Sequence, residues 1–197
     1  MENSFEILIA SYIENKVGVC QHFLSDELAN HLKENLLSLH NENKLVTAGT
    51  GNANKLIHNA GIRNDVIYWL DKKNNNEYEQ AFFVQIEAFI DYLNMSCYAG
   101  ITGYEFHYSL YETGSFYRKH LDQFQDNSSR QFSMISYLNA NWQENDGGEL
   151  LIHQKDSNQK IAPTHGKTVF FKSNELVHEV LVTNERRMSV TGWLKRD

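Results

Sequence analysis

The sequence predicts an α+β fold: a double-stranded β-helix, or jelly roll, with N-terminal helices packed on one of its sheets. Three observations carry that prediction. Apolar residues recur at helical spacing in two stretches of the first hundred residues. From about residue 104 the period drops to two. The apolar runs that follow are short and closely spaced by turn-forming residues, which is the pattern of a double-sheet β architecture.

In chain order, Ser25 is the expected N-cap of a helix, with Asp26 and Glu27 in the first turn where the helix dipole favours acids. Leu28, Leu32 and Leu36 then recur every fourth residue as one buried stripe. A second helix is predicted over 77–94, with Tyr78, Phe82, Ile86, Phe89, Ile90 and Leu93 on a common face. Between them "TAGTGNANK" and "DKKNNNE" are loops by composition. "EFHYSLY", "RQFSMISYLN", "GELLIH", "KTVFFK", "VHEVLV" and "RRMSVTGWL" follow as strands. Their separators, "NWQENDGG", "KDSNQ", "SNE" and "TNE", are turn material. No internal repeat or linker divides the chain. Residues 1–197 therefore read as one domain, with 1–103 as mainly helical support with some strands and 104–197 as the jelly-roll core.

Composition excludes several roles. With 41% hydrophobic and 22% charged residues the chain reads as globular, and no run is long enough to span a bilayer. "MENSFEILIASYIENK" has an apolar middle but no basic start, so no secretory signal is expected. A net charge of −7 opposes a nucleic-acid partner, since phosphate binders concentrate Lys and Arg. Cys20 and Cys97 form neither a metal cluster nor a disulfide framework, which suits a reducing cytoplasm.

The segment "GSFYRKHLDQFQ" places His120 and Asp122 two residues apart. On an extended backbone both point to one side, where an imidazole and a carboxylate can grip one metal ion. Alone the pair says little: nine His and nine Asp in this chain give roughly 0.4 such pairs by chance. The addition of His178, inside "VHEVLV", changes its weight. Two His and one carboxylate with other positions open suit non-haem Fe(II) oxygen chemistry. A 2-oxoglutarate co-substrate would bury a distal carboxylate, which demands a cation. Arg187 is placed for that, and Arg187, Ser189, Thr191 and Trp193 share one face by alternation. Tyr137 could add a phenolic donor from a facing strand.

"YETGSFYRKHLD", "RQFSMISYLNANW", "GGELLIH" and "TVFFKSNELVHEVLVTNERRMSVTGW", with "IRNDVIYWL" upstream, resemble the prolyl 4-hydroxylase family of iron and 2-oxoglutarate dioxygenases. The likeness is greatest to the hypoxia-inducible-factor prolyl hydroxylase branch and its bacterial relatives, and it covers about residues 62–194. It implies His120, Asp122 and His178 as Fe(II) ligands and Arg187 as the 2-oxoglutarate anchor, assisted by Tyr137 and Thr191. Tyr111 would lie near metal and co-substrate, and Arg130 and Trp193 at the substrate mouth. O2 would be the second co-substrate, with ascorbate as a reductant. The implied substrate is a prolyl residue in a protein or peptide. "QFQDNSS" and "TAGTGNANKLIHNAG" depart from the family pattern.

Other readings stand beside this one. The same cofactors could serve a free amino acid or another small metabolite. A jelly roll can also be a non-catalytic binding protein, and two His with a carboxylate can hold a hydrolytic zinc. A zinc hydrolase has no use for Arg187 behind the metal, and a pure binding module has no use for the full triad. His22, His31, His40, His58, His107, His153 and His165 have no partner at ligand spacing and read as surface or core residues.

Overall fold

The computed structural model describes residues 4–49, 59–123, 127–155 and 157–196. His58 and much of the two segments that depart from the family pattern lie outside those residues. Helix α1 (Ser4–Asn15) leads through strand β1 (Gly18–Cys20) into α2 (Asp26–Asn41). Ser25 caps α2 as expected, its hydroxyl accepting from the Leu28 amide at 3.1 Å. Two short strands, β2 (Val46–Thr47) and β3 (Val66–Trp69), precede α3 (Glu77–Cys97). The side chain of Asn76 caps α3, which outruns its predicted end and stops where Tyr98 turns left-handed at φ 51°.

Eight strands follow: β4 (Gly103–Tyr111), β5 (Tyr117–His120), β6 (Arg130–Tyr137), β7 (Leu150–His153), β8 (Asn158–Ile161), β9 (Thr168–Lys172), β10 (Val177–Val180) and β11 (Arg187–Lys195). They build a seven-stranded sheet ordered β1-β9-β6-β11-β4-β3-β2 and a four-stranded sheet ordered β5-β10-β7-β8. The pairings are antiparallel. The predicted jelly roll with helices on one sheet is the observed architecture. One difference concerns β8, whose first residues fall in "KDSNQ". That stretch is polar because β8 is an edge strand; only Ile161 is buried, and pairing with β7 rather than apolar alternation makes it a strand.

Alternation explains how one sheet serves two layers. Phe106, Tyr108 and Leu110 of β4, Met188, Val190 and Leu194 of β11, and Phe170 of β9 join the helices in the larger core. Phe170 meets Phe89 of α3 edge-on at 5.4 Å. The intervening residues point the other way. Ile135, Tyr137, Val169 and Phe171 pack against Leu150, Ile152 and Ile161 of the smaller sheet. Gly192 sits in the helix-facing row, where a Cβ would come within 2.3 Å of the Phe106 ring. Only glycine leaves room for that ring between β4 and β11.

Candidate active site and metal centre

Between the sheets opens a cavity of about 880 Å³. His107, Tyr111, Arg187, Thr191 and Trp193 line it from the large sheet, and His120 and His178 from the small one. His120 and His178 lie directly opposite in the β5–β10 register, their ring centroids 4.3 Å apart. Asp122 is not on the strand. It follows the end of β5 in a bend that brings its Oδ1 to 3.3 Å from His120 Nε2 and its Oδ2 to 3.5 Å from His178 Nε2. One ligand atom from each residue lies within 4.8 Å of the others, so the three could hold a metal ion.

The hydrogen bonds behind these groups set their chemistry. His120 Nδ1 lies 2.7 Å from the Arg118 carbonyl and His178 Nδ1 lies 3.0 Å from the Leu176 carbonyl. A carbonyl only accepts, so each Nδ1 carries the proton and each Nε2 keeps its lone pair for the cavity. Ser133 Oγ donates to Asp122 Oδ2 at 2.6 Å and touches Ser173 Oγ at 2.9 Å. Burial works to raise the Asp122 pKa, but the two imidazoles and the Ser133 hydroxyl outweigh it and hold the carboxyl well below its usual range. Burial pushes His178 down to about 4 against the pull of Asp122. Neutral imidazoles and an ionised carboxylate are the forms a metal ion requires, so the set fits Fe(II).

Arg187 is 2% exposed. Its Nε donates to the Gly148 carbonyl at 2.8 Å, and its Cζ lies 4.9 Å from the Tyr111 ring centroid and 5.1 Å from that of Tyr137. Among the described residues no carboxylate pairs with it. Gly148 has φ +72°, and a Cβ there would press within 3.0 Å of Arg187 Cδ. The Tyr137 hydroxyl is buried without a hydrogen-bond partner among the described residues, and burial raises its pKa. Tyr137 lies on β6, beside β11 in the same sheet (paired with Ser189), rather than on a facing strand. Thr191 Oγ1 meets Ser189 Oγ at 3.0 Å. A buried cation beside an unpaired phenol fits one anionic end of a 2-oxoglutarate molecule.

At the other end of the wall, Arg130 lines the cavity but is already engaged. Its Nε and Nη2 bind Glu105 at 2.8 and 2.7 Å, Nη1 donates to the Asp122 carbonyl, and the guanidinium lies 3.4 Å from the Trp193 ring centroid. Trp193 is buried with its Nε1 unpartnered among the described residues.

His107, read from the sequence as a surface or core residue, is buried on the cavity wall directly opposite Thr191. Burial, with the charges of Arg63 and Arg130, drives its imidazole down to about 3. Its alternation with Ser109 and Tyr111 was the signal that it shares their side of β4. Arg63 and Tyr117 also line the cavity; they fall within "IRNDVIYWL" and "YETGSFYRKHLD", but neither was given a role from the sequence. Of the remaining histidines, His31 stacks on Tyr78, His40 lies by Glu112 and His153 by Glu179.

The profile of the 2OG-Fe(II) oxygenase superfamily matches residues 106–195. A prolyl-4-hydroxylase from Pseudomonas putida is 30% identical, with 98% of this chain and 99% of that one covered at a TM-score of 0.88. The chain belongs to the prolyl 4-hydroxylase family. Other members share its fold at lower identity. A Trichoplax adhaerens prolyl hydroxylase, solved with a hypoxia inducible factor peptide fragment, is 22% identical over 97% of this chain and 88% of that one, at a TM-score of 0.84. A viral collagen prolyl hydroxylase from Paramecium Bursaria Chlorella virus-1 is 19% identical over 93% and 97%, at 0.64. As a prolyl 4-hydroxylase family member the protein is an Fe(II)- and 2-oxoglutarate-dependent dioxygenase. Among its described residues no helix is long and apolar enough to cross a membrane.

Proposed function

We propose that this dioxygenase hydroxylates a prolyl residue in a protein or peptide. His120, Asp122 and His178 hold Fe(II), and Arg187 anchors the distal carboxylate of 2-oxoglutarate with help from Tyr137 and Thr191. The observation that carries this reading is the buried Arg187 guanidinium, unpaired by any described carboxylate, in the same cavity as the His–Asp–His cluster. Iron with 2-oxoglutarate and O2 supplies an oxidant able to hydroxylate an unactivated C–H bond, with succinate and CO2 as the other products. The chain's own groups do the rest. The two Nδ1–H bonds aim the Nε2 lone pairs, and Ser133 holds one carboxylate oxygen of Asp122 in place. Tyr111 flanks the guanidinium, and Trp193 and Arg130 wall the side where substrate enters.

Two features favour a peptide over a free amino acid. Val46, Ile62, Trp69 and Leu121 line the cavity and are each at least 36% exposed, an apolar rim where a longer chain can lie. A free amino acid would bring an ammonium to the wall, yet Asp122 is the only carboxylate among the described lining residues. The Pseudomonas putida relative, a prolyl-4-hydroxylase, supports the same choice. Residues 1–197 act as one catalytic unit in this reading, with 1–103 buttressing the sheet that carries Arg187. The unpaired Cys20 and Cys97 support a reducing, cytoplasmic setting.

Incubation with Fe(II), 2-oxoglutarate and air tests the proposal. Succinate should form in step with the gain of one oxygen atom's mass on proline-containing peptides, and free proline should be left unchanged. Succinate formation coupled to a free amino acid, with peptides untouched, would assign the small-metabolite reading instead.

A further inference from the structure

Arg63 and Asp65 lie on the segment leading into β3, outside the strands that supply the ligands. Both are buried, and their ion pair is bidentate, with Nε to Oδ1 at 2.8 Å and Nη2 to Oδ2 at 2.6 Å. That fork fixes the plane of the guanidinium. The backbone fixes its place, because Arg63 bridges to Tyr117 and the Arg118 amide donates to the Ile62 carbonyl. Arg63 Cζ then lies 4.2 Å from the centroid of the Tyr117 ring. The His120 imidazole stacks on that same ring at 3.6 Å and 15°. Two groups so near cannot share one face of a phenol without colliding. Tyr117 is therefore held between a fixed cation and the imidazole.

His120 needs such a support more than His178 does. His178 is 3% exposed and packs edge-on to Phe171 inside the sandwich. His120 ends β5, an edge strand of the smaller sheet, and is only half-buried. Its bond to the Arg118 carbonyl fixes one atom of the ring but not the ring's plane. Rotation about Cβ–Cγ is opposed by the stack on Tyr117, and Tyr117 is opposed in turn by Arg63. We propose that Arg63, acting through Tyr117, is a positioning residue that sets the plane of the His120 imidazole for metal binding. This rests on the reading of His120 as a ligand. It adds that ligand geometry is governed from a segment 57 positions upstream of it.

Co(II) titration of the full chain without substrate, followed by ligand-field absorption, tests the column. Tyr117→Phe keeps the ring and should bind within about twofold of the parent. Tyr117→Leu, and Arg63→Met combined with Asp65→Leu so that no charge is orphaned, should each weaken Co(II) binding about tenfold and shift the band of the saturated protein. In a His120→Ala background, Tyr117→Leu should cost nothing further, because the ring it supports is gone. Parent-like binding by Tyr117→Leu would overturn the proposal. So would a loss that persists undiminished without His120, since that marks general damage to the fold. If His120→Ala itself left binding unchanged, the ligand assignment would fall first and the column with it. Should the paired replacement not fold, Tyr117→Leu at its half-buried ring decides the matter alone.

Discussion

The two faces of the β4–β11 ribbon are built by the same strands and made of opposite materials. Toward the helices lie Phe106, Tyr108, Leu110, Met188, Val190 and Leu194, closed against aromatic side chains of α3. Toward the cavity lie His107, Ser109, Tyr111, Arg187, Ser189 and Thr191, most of them just as buried. The first row exchanges water for hydrocarbon, and its contribution to stability follows apolar area. The second row gives up water for an incomplete set of polar contacts, which costs stability. The difference teaches that the helical layer underwrites the site: a sheet can hold on one face a guanidinium that no described carboxylate pairs with, because the other face is so well packed.

That contrast can be broken from either side. The largest effect should come from Asp122→Ala, which removes the carboxylate between the imidazoles. Succinate formation should fall to background, and calorimetry should show a modest loss of stability, because the contacts that hold this carboxyl ionised favour the folded state. Phe170→Ala attacks the opposite face and should cost about 3–5 kcal/mol in denaturant unfolding, with the KM for 2-oxoglutarate unchanged in the cold. Arg187→Ala should raise that KM roughly a hundredfold, since it strips the partner from a buried carboxylate. Steady-state kinetics at varied 2-oxoglutarate would show it, and a small change would detach Arg187 from the co-substrate.

The smallest effect sharpens the contrast by pH. His107 has a folded pKa near 3 against an ordinary value of 6.5. Between those values the unfolded chain takes up a proton that folded His107 refuses, so stability is lost as pH falls through that window. Above it the residue is neutral in both states and contributes no slope. His107→Phe should therefore melt less steeply than the parent as the buffer is lowered from about pH 7 to about pH 5. The remaining slope should come partly from His178, which is depressed in the same direction.

Much of this was legible in the sequence because alternation is a local property. The face shared by Arg187, Thr191 and Trp193 follows from spacing alone, and the structure places all three on the cavity wall. His120, Asp122 and His178, which the structure brings together, were singled out from the sequence as well, though not the bend that carries Asp122 beyond the strand. What escaped depends on partners distant in the chain. The carboxylate that engages Arg130 is Glu105, on another strand. β8 is polar and becomes a strand only by hydrogen bonding to β7. Tyr117 looks like any strand tyrosine until Arg63 is folded against it. His107 was within reach, since it shares the parity of Tyr111 on β4.

The fastening of Arg187 has a consequence of its own. The guanidinium is tied down by a main-chain oxygen, that of Gly148, and no side-chain replacement can delete a peptide carbonyl. The pocket's charge is thus insured against most point changes around it. Its weak spot is one small residue, where even a methyl group would crowd the arginine's stem. If Arg187 anchors the co-substrate as proposed, retuning the enzyme toward a different keto acid should begin by rebuilding that glycine turn, leaving the arginine as it is.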